Sequence, residues 1–241
     1  MLSVYFTAGY PNLNDTVAVI RRLEKNGVDI VLIGLPYSDS PSDGPIVQKS
    51  ALTALQNGMS TVLLFHQLEN IRNIVNIPLL IIGYFNAILR FGVENFCRNC
   101  STIGIDGLII PDLPADVYIE SYKAIFDKYR LTIVFLITPE TSEERIRHID
   151  KFSNAFIYMV SSASVTSDDT DVDKNEQNYV RRIADMNLKN PIIVGFGIND
   201  NTTFRQATTF AKGAIVRSSF IKNITKNGVS GFSDFIEAFS I

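Results

Sequence analysis

The sequence has few of the residues that build metal and redox centres: its 241 residues include two cysteines and two histidines. Cys97 and Cys100 form one C-x-x-C pair, but there is no second pair, and neither His66 nor His148 lies in a matching ligand motif. The sequence therefore predicts no bound metal. We interpret the two cysteines as packing residues near the end of a helix.

A membrane span and a strongly basic composition are also missing. No apolar run reaches the ~18 residues of a transmembrane helix, and the N-terminal residues MLSVYFT lack the basic and extended apolar regions of a secretory signal. The formal net charge is −3, whereas proteins that bind nucleic acid or anionic membranes concentrate lysine and arginine. We expect a cytoplasmic protein without a nucleic-acid or membrane partner.

What the sequence does contain is a regular alternation of apolar strands and amphipathic helices. Strands are predicted at residues 4–7, 30–33, 78–84, 107–114, 131–137, 156–160, 191–194 and 214–216. The range 107–114 includes the loop that follows the fourth strand. Helices are predicted from a cap at Asn14 or Asp15 to residues 26–27, then at 46–55, 61–74, 88–100 and 115–129, and after a cap in the segment TSEE at 141–144. This order predicts one (β/α)₈ barrel domain over residues 1–241, and the eight evenly spaced strands disfavour an open doubly wound sheet.

Residues 29–45, DIVLIGLPYSDSPSDGP, join a buried strand to a loop of turn-forming and acidic residues. Such loops at the carboxyl ends of parallel strands carry the active sites of α/β folds. Residues 34–39 and 43–45 resemble the signature of the tryptophan synthase α subunit, which is roughly E-x-G-x-P-F-S-D-P-x-A-D-G-P. The stretches TAGYP at 7–11, GYFN at 83–86, PDLP at 111–114 and VGFGI at 194–198 match that family in the same order. The resemblance covers nearly the whole barrel, and because the first predicted strand lies so near Met1 we expect a barrel without the family's usual extra helix before that strand.

The resemblance implies a lyase of tryptophan biosynthesis that cleaves indole-3-glycerol phosphate to indole and glyceraldehyde 3-phosphate. In that family the first glutamate of the motif is the general acid or base, and the aspartate holds the indole N–H. Here Leu32 stands at the glutamate position, while Asp43 matches the aspartate. Leucine cannot carry a proton, and a positioned acid or base contributes ~10²–10⁴-fold in rate. We therefore expect a chain that keeps its orienting carboxylate and whose own turnover is impaired.

The resemblance also implies the residues that bind the rest of the substrate. The substrate-binding set is Tyr5, Tyr158, Thr166 and Phe196, and the phosphate-binding set is Ser167, Gly197, Arg217 and Ser218. Ser167 and Arg217 stand where the family has glycines that let backbone N–H groups approach the substrate. Arg217 could bind phosphate, fill the site or face solvent.

An acidic segment follows the sixth predicted strand, in the part of the chain that closes over the substrate in the family. It contains Asp168, Asp169, Asp171 and Asp173. Unless they are paired, these carboxylates would repel a phosphate dianion. The alternative is an ordinary solvated loop.

The resemblance implies a tryptophan synthase β subunit as partner, in an α₂β₂ heterotetramer, with Pro36, Tyr37 and Asp39 at the interface. The chain itself shows no sign of a pyridoxal-phosphate lysine, so that cofactor is expected in the β partner and none in this chain. Two alternatives stay open. Asp112 or Tyr158 could replace the missing glutamate in an active lyase, although an ordinary phenol with a pKa near ~10 is a poor base. The barrel could also bind a small phosphorylated ligand without turning it over.

Overall fold

Eight parallel strands close into a barrel in the order of the chain, and β8 pairs with β1. The computed structural model describes residues 1–161 and 170–239, with residues 170–175 described by their backbone alone. The strands are β1 Leu2–Thr7, β2 Ile30–Gly34, β3 Leu79–Ile82, β4 Gly107–Ile109, β5 Thr132–Ile137, β6 Ile157–Met159, β7 Ile192–Val194 and β8 Gly213–Val216. Each overlaps a predicted strand, so the (β/α)₈ barrel is confirmed.

Helices surround the barrel. In the described part of the chain they are α1 Thr16–Lys25, α2 Pro45–Gln56, α3 Thr61–Gln67, α4 Phe85–Phe91, α5 Val93–Ile103, α6 Ala115–Val117, α7 Lys123–Lys128, α8 Glu143–Phe152, α9 Thr170–Asp185, α10 Asn201–Thr208, α11 Ser218–Asn227 and α12 Ser233–Glu237, with 3₁₀ turns at Ile71–Asn73 and Val229–Gly231. None of these helices has both the length and the apolar character needed to cross a bilayer.

Two predicted helix caps lie at the expected places, but their hydrogen bonds differ in detail from those predicted. Asp15 is the N-cap residue of α1, but its carboxylate accepts hydrogen bonds from Asn12 instead of from the backbone of the helix. α8 is capped by Ser142 and not by Thr141, with the Ser142 hydroxyl accepting from the Arg145 backbone N–H at 3.3 Å. In both places a local turn determines which side chain can reach the first helical N–H groups.

Two predicted helices are shorter than their periodicity suggested. The one at 61–74 ends at Gln67, and the one at 88–100 is divided at Gly92 into α4 and α5. Gly92 has a φ of +90°, in the left-handed region that glycine tolerates, so the chain turns there between two helices.

The predicted helix at 115–129 is interrupted by the π-helical turn Tyr118–Tyr122 between α6 and α7. Tyr118 is buried in this turn, and its ring makes edge contacts with Phe126 and Phe135 at centroid distances of 5.0 and 5.5 Å. The wider π-helical turn therefore occurs where this ring is packed. The pattern of apolar residues in the sequence did not predict that packing.

Alternation along the strands decides which side chains face the barrel interior. A Cβ added to Gly34 would lie 2.3 Å from the Tyr5 hydroxyl oxygen, and one added to Gly195 would lie 1.9 Å from a Tyr158 ring carbon. These glycines therefore face the same interior as the two tyrosines. Because successive side chains alternate, Leu32 shares the inward face of β2 with Gly34, and the strand register pairs it with Tyr5.

Asp150 fastens α8 to the turn that precedes β7. Its buried carboxylate accepts hydrogen bonds from the backbone N–H groups of Lys189 and Asn190 at 2.8 and 2.9 Å, and from the Asn190 side chain at 2.8 Å. Burial opposes ionisation of Asp150, but the hydrogen bonds from Asn190 and Lys189 outweigh it and hold its pKa below the ordinary value.

We expect Asp150→Asn to lower the free energy of unfolding by about 2 kcal/mol at neutral pH, because an amide nitrogen would face N–H donors. A depressed folded-state pKa gives stability that is complete above the unfolded pKa of about 4 and is lost as the pH falls through the folded value. Urea unfolding of variant and wild type should therefore converge from about pH 5 downward. Asp185→Asn, at an exposed carboxylate, is the control and should change little. If the difference in the free energy of unfolding between Asp150→Asn and wild type did not depend on pH, this account would be contradicted.

Candidate active site

Residues from four parts of the chain meet at the carboxyl end of the barrel. Tyr5 lies on β1 and Tyr158 on β6, while Asp43 lies in the segment between β2 and α2, which we call the β2 loop (residues 35–44). Arg217 directly follows β8 and is the N-cap residue of α11. The register of β6, β7 and β8 places Gly213 on the same inward face as Tyr158, and two-residue alternation extends that face to Arg217.

Arg217 and Asp43 form an ion pair at the mouth of the barrel. The Arg217 Nη2 donates to Asp43 Oδ1 at 2.5 Å, and the two side chains are only 17% and 14% exposed. The guanidinium carbon also lies 4.7 Å from the centroid of the Tyr5 ring, within cation–π distance. The predicted orienting carboxylate is therefore engaged by an arginine of the same chain.

The charges of this cluster are mutually dependent. Burial favours the neutral form of Arg217, but the oxygens of Tyr158 and Tyr5, which are charged only at high pH, and the Asp43 carboxylate outweigh burial and raise the arginine pKa above its ordinary value. Burial, followed by the Asp43 charge, raises the pKa of Tyr5, and burial also raises the pKa of Tyr158 although Arg217 opposes it. The arginine stays charged and both phenols stay neutral at neutral pH.

A chain of hydroxyl groups fixes the Tyr5 ring beneath Arg217. Ser50 donates to the backbone carbonyl of Val47 at 2.7 Å, so its oxygen is left to accept from Thr7 at 2.6 Å. Thr7 in turn accepts from the Tyr5 hydroxyl at 3.3 Å. Because each hydroxyl has one proton to donate, the hydrogen bonds run from Tyr5 to Thr7, from Thr7 to Ser50 and from Ser50 to the Val47 carbonyl.

Two buried donors in the cluster have no hydrogen-bond partner among the described residues. They are the Tyr158 hydroxyl and the Nε of Arg217. Tyr158 still lies close enough to Arg217 for the guanidinium to oppose the rise in its pKa, so the two side chains are neighbours in the cluster. The fully buried, neutral Tyr158 is also a poor candidate for the base that the sequence analysis left open.

Tyr84 belongs to the site although the sequence analysis did not single it out. Its hydroxyl accepts from the Ser42 backbone N–H at 3.1 Å, and its ring stacks on Tyr37 at 5.5 Å. Burial and then the Asp43 charge raise the pKa of Tyr84 to about 12. The only available signal was its place in the segment GYFN at 83–86.

Phe196 and Gly197 of the predicted substrate and phosphate sets lie beside α9 and α10. Phe196 stacks on Tyr179 with centroids 5.9 Å apart, and both Phe196 and Gly197 line a cavity of about 300 Å³ whose other walls come mainly from those two helices. Gly197 has a φ of +68°, in the left-handed region that glycine tolerates. Ser218 is half-buried at the first position of α11.

Several predicted residues are not placed by the structure. Thr166, Ser167, Asp168 and Asp169 lie outside the described residues, as do the side chains of Asp171 and Asp173. Within the described part of the chain, no three histidine, cysteine, aspartate or glutamate side chains converge as a metal site.

The predicted partner-contact residues differ in exposure: Pro36 is buried, Tyr37 is half-buried and Asp39 is exposed. The Tyr37 hydroxyl accepts from the Asn86 side chain at 2.7 Å, which ties the β2 loop to the start of α4. Asp112 accepts from the Phe85 backbone N–H at 2.8 Å and so organises the neighbouring loop.

We expect strong energetic coupling between Asp43 and Arg217 in a double-mutant cycle of Asp43→Asn and Arg217→Met. Removing one partner leaves a poorly solvated charge, so the coupling should be about 2 kcal/mol. Lys123 and Asp127 form an exposed helical pair with the same 2.5 Å separation and serve as the control. Such pairs contribute about 0.3–0.5 kcal/mol. Equal coupling in both pairs, measured by urea unfolding, would contradict the role given to burial.

The sequence matches one family along most of its length. The family model for the tryptophan synthase alpha chain matches residues 1–235. The tryptophan synthase alpha chain of Flavobacterium psychrophilum is 63% identical over 236 residues, which is 98% of this chain and 93% of that protein. That of Flavobacterium johnsoniae is 60% identical over 236 residues, with the same two shares, 98% and 93%.

Solved structures agree with the sequence matches. Tryptophan synthase subunit alpha from Legionella pneumophila str. Paris has a TM-score of 0.90 at 27% identity, covering 99% of this chain and 90% of that one. Tryptophan synthase from M. tuberculosis in its aminoacrylate-bound form has a TM-score of 0.86 at 28% identity, covering 99% and 91%. The resemblance read from the sequence is thereby confirmed, and the chain belongs to the tryptophan synthase alpha chain family of tryptophan biosynthesis.

Proposed function

We propose that this chain is an α subunit that docks on a tryptophan synthase β subunit and modulates it, while its own cleavage of indole-3-glycerol phosphate is weak. The observation that carries the proposal is Leu32. It is fully buried on the inward face of β2. By the resemblance, it stands at the position of the family's glutamate. The proposed compartment is the cytoplasm, which suits the free thiols of Cys97 and Cys100.

The reaction needs proton transfer at two atoms. Cleaving the carbon–carbon bond requires a base for the glycerol hydroxyl and an acid for the indole carbon that loses its substituent. Leu32 can serve neither need. Its register neighbours on the adjacent strands are Tyr5, whose phenol is neutral and already donates to Thr7, and the apolar Leu80.

The two substitute groups considered in the sequence are poorly suited to replace the glutamate. Asp112 Oδ1 accepts the Phe85 backbone N–H, so one of its oxygens serves the loop. Tyr158 is fully buried, and burial raises its pKa. These contacts favour weak turnover over an active lyase with a replacement base.

The contacts that fix the β2 loop in place support the part of the proposal that concerns docking on a β subunit. Tyr37 packs on Tyr84 and accepts from Asn86, and Ser42 donates to Tyr84, so the loop is fastened to the end of β3 and the start of α4. Asp39 stays exposed on it. None of these contacts involves Leu32, so a partner surface on this loop does not depend on the group needed for proton transfer.

The partner in this proposal is a β subunit, and the assembly is the α₂β₂ heterotetramer implied by the resemblance. Pyridoxal phosphate belongs to that partner, and no step in this chain passes through it. The proposed ligand of the barrel remains a small phosphorylated substrate, and the described members of the predicted phosphate-binding set are Gly197, Arg217 and Ser218.

The test is a pair of rates measured with and without a cognate β subunit. We expect the chain to raise the β subunit's rate of tryptophan formation from indole and serine severalfold. Its own release of indole from indole-3-glycerol phosphate should stay at least ~10²-fold below that of a relative with glutamate at this position. Rapid indole release would reject weak turnover, and an unchanged β rate would reject docking.

A further inference from the structure

The strongest unexplained feature of the barrel mouth is the position of Arg217. It is not extended toward solvent, since its side chain is 17% exposed. Its guanidinium packs over the face of Tyr5 and donates to the carboxylate of Asp43. The structure thus favours the site-filling alternative for Arg217 over a side chain free to bind phosphate.

Both contacts have the chemistry of an aromatic N–H ligand. A guanidinium is planar, stacks on aromatic faces and presents N–H donors at its edge. Indole is also planar, stacks on aromatic rings and has one N–H donor at its edge. A guanidinium on Tyr5 that donates to Asp43 therefore makes the stacking contact and the hydrogen bond that an indole ring would make there.

We propose that Arg217 is a built-in surrogate for the indole end of the substrate, and that it determines what the mouth of the barrel excludes. The inference rests on the proposed function in one respect, namely that the barrel receives indole-3-glycerol phosphate and that Asp43 has the role the resemblance implies, as acceptor for the indole N–H. The guanidinium covers the Tyr5 ring and occupies one oxygen of Asp43, so an indole that stacked on Tyr5 and donated to that oxygen would have to displace it. Arg217 therefore limits ligand entry independently of Leu32.

The same contact holds the β2 loop in place without a ligand. The Asp43 N–H donates to the carbonyl of Ser40 at 3.1 Å, and Gln48 donates to the carbonyls of Ser40 and Asp43 at 3.1 and 2.9 Å. These bonds fasten the loop to α2. Arg217 supplies a link from the end of β8, on the other side of β1, so its removal should loosen residues 40–43 while α2 stays intact.

The first test uses indole as the probe in titration calorimetry, with Arg217→Ala, Arg217→Met and the exposed Arg205→Ala as control. Arg217→Ala opens the space and should bind indole at least tenfold more tightly than wild type. Arg205→Ala should behave as wild type does. Arg217→Met keeps the bulk of the side chain but not its N–H donors, and it should still hinder indole. Equal affinity of wild type and Arg217→Ala would overturn the inference.

The second test measures amide hydrogen exchange in residues 40–43 of the free chain. Both Arg217→Ala and Arg217→Met lose the bond to Asp43, so exchange there should be at least tenfold faster than in wild type and in Arg205→Ala. Indole should slow this exchange in Arg217→Ala alone. Unchanged exchange in both Arg217 variants would show that the arginine does not hold the loop.

The third test separates this inference from the proposed function. The double variant Leu32→Glu/Arg217→Ala should release indole from indole-3-glycerol phosphate at least tenfold faster than the single variant Leu32→Glu. Leu80→Glu, which places a carboxylate on the inward face of the neighbouring strand, is the matched control and should restore none. If the single and double variants are equally active, Arg217 is not a second block. If the wild-type chain does not change the rate of the β subunit, docking is rejected, but the indole-binding and hydrogen-exchange results still test the role of Arg217.

Discussion

The alternation of side chains around a closed eight-stranded barrel is the constraint on which the site depends. It brings Tyr5, Leu32, Tyr158 and Arg217 to one interior although they are far apart in the sequence. An eight-stranded barrel has an interior just wide enough for side chains to fill. Each large inward side chain near the carboxyl end therefore competes directly with a ligand.

Glycines show how little space remains. The two tyrosine rings occupy the positions that a Cβ would take at Gly34 and Gly195. Arg217 is added to a mouth already filled from two sides, and its guanidinium packs on the Tyr5 ring. Asp43 is the acidic group that offsets its charge, so the orienting carboxylate and the arginine are positioned together.

The sequence predicted the barrel well because parallel strands that are buried on both faces appear in the sequence as short, nearly continuous apolar runs. It predicted helix interiors less well, since the break at Gly92 depends on a left-handed turn and the π-helical turn at Tyr118–Tyr122 accompanies ring packing. Leu32 and Asp43 could be singled out from a motif. The pairing of Asp43 with Arg217 could not, because it joins residues 174 positions apart through the β2 loop, whose path no local pattern specifies.

Under the proposed function, chemistry and docking depend on different contacts of the same loop. Asp43 turns inward from the β2 loop to Arg217, whereas Tyr37 turns to Tyr84 and Asn86 and leaves Asp39 exposed. A substitution on the inward face of β2 changes which groups can exchange protons, but it does not reach the aromatic and amide contacts that order the outer part of the loop. Under the proposed function, an α subunit can therefore lose turnover at Leu32 and still present an ordered loop to its partner, with Arg217 supplying the contact to Asp43 that a substrate would otherwise make.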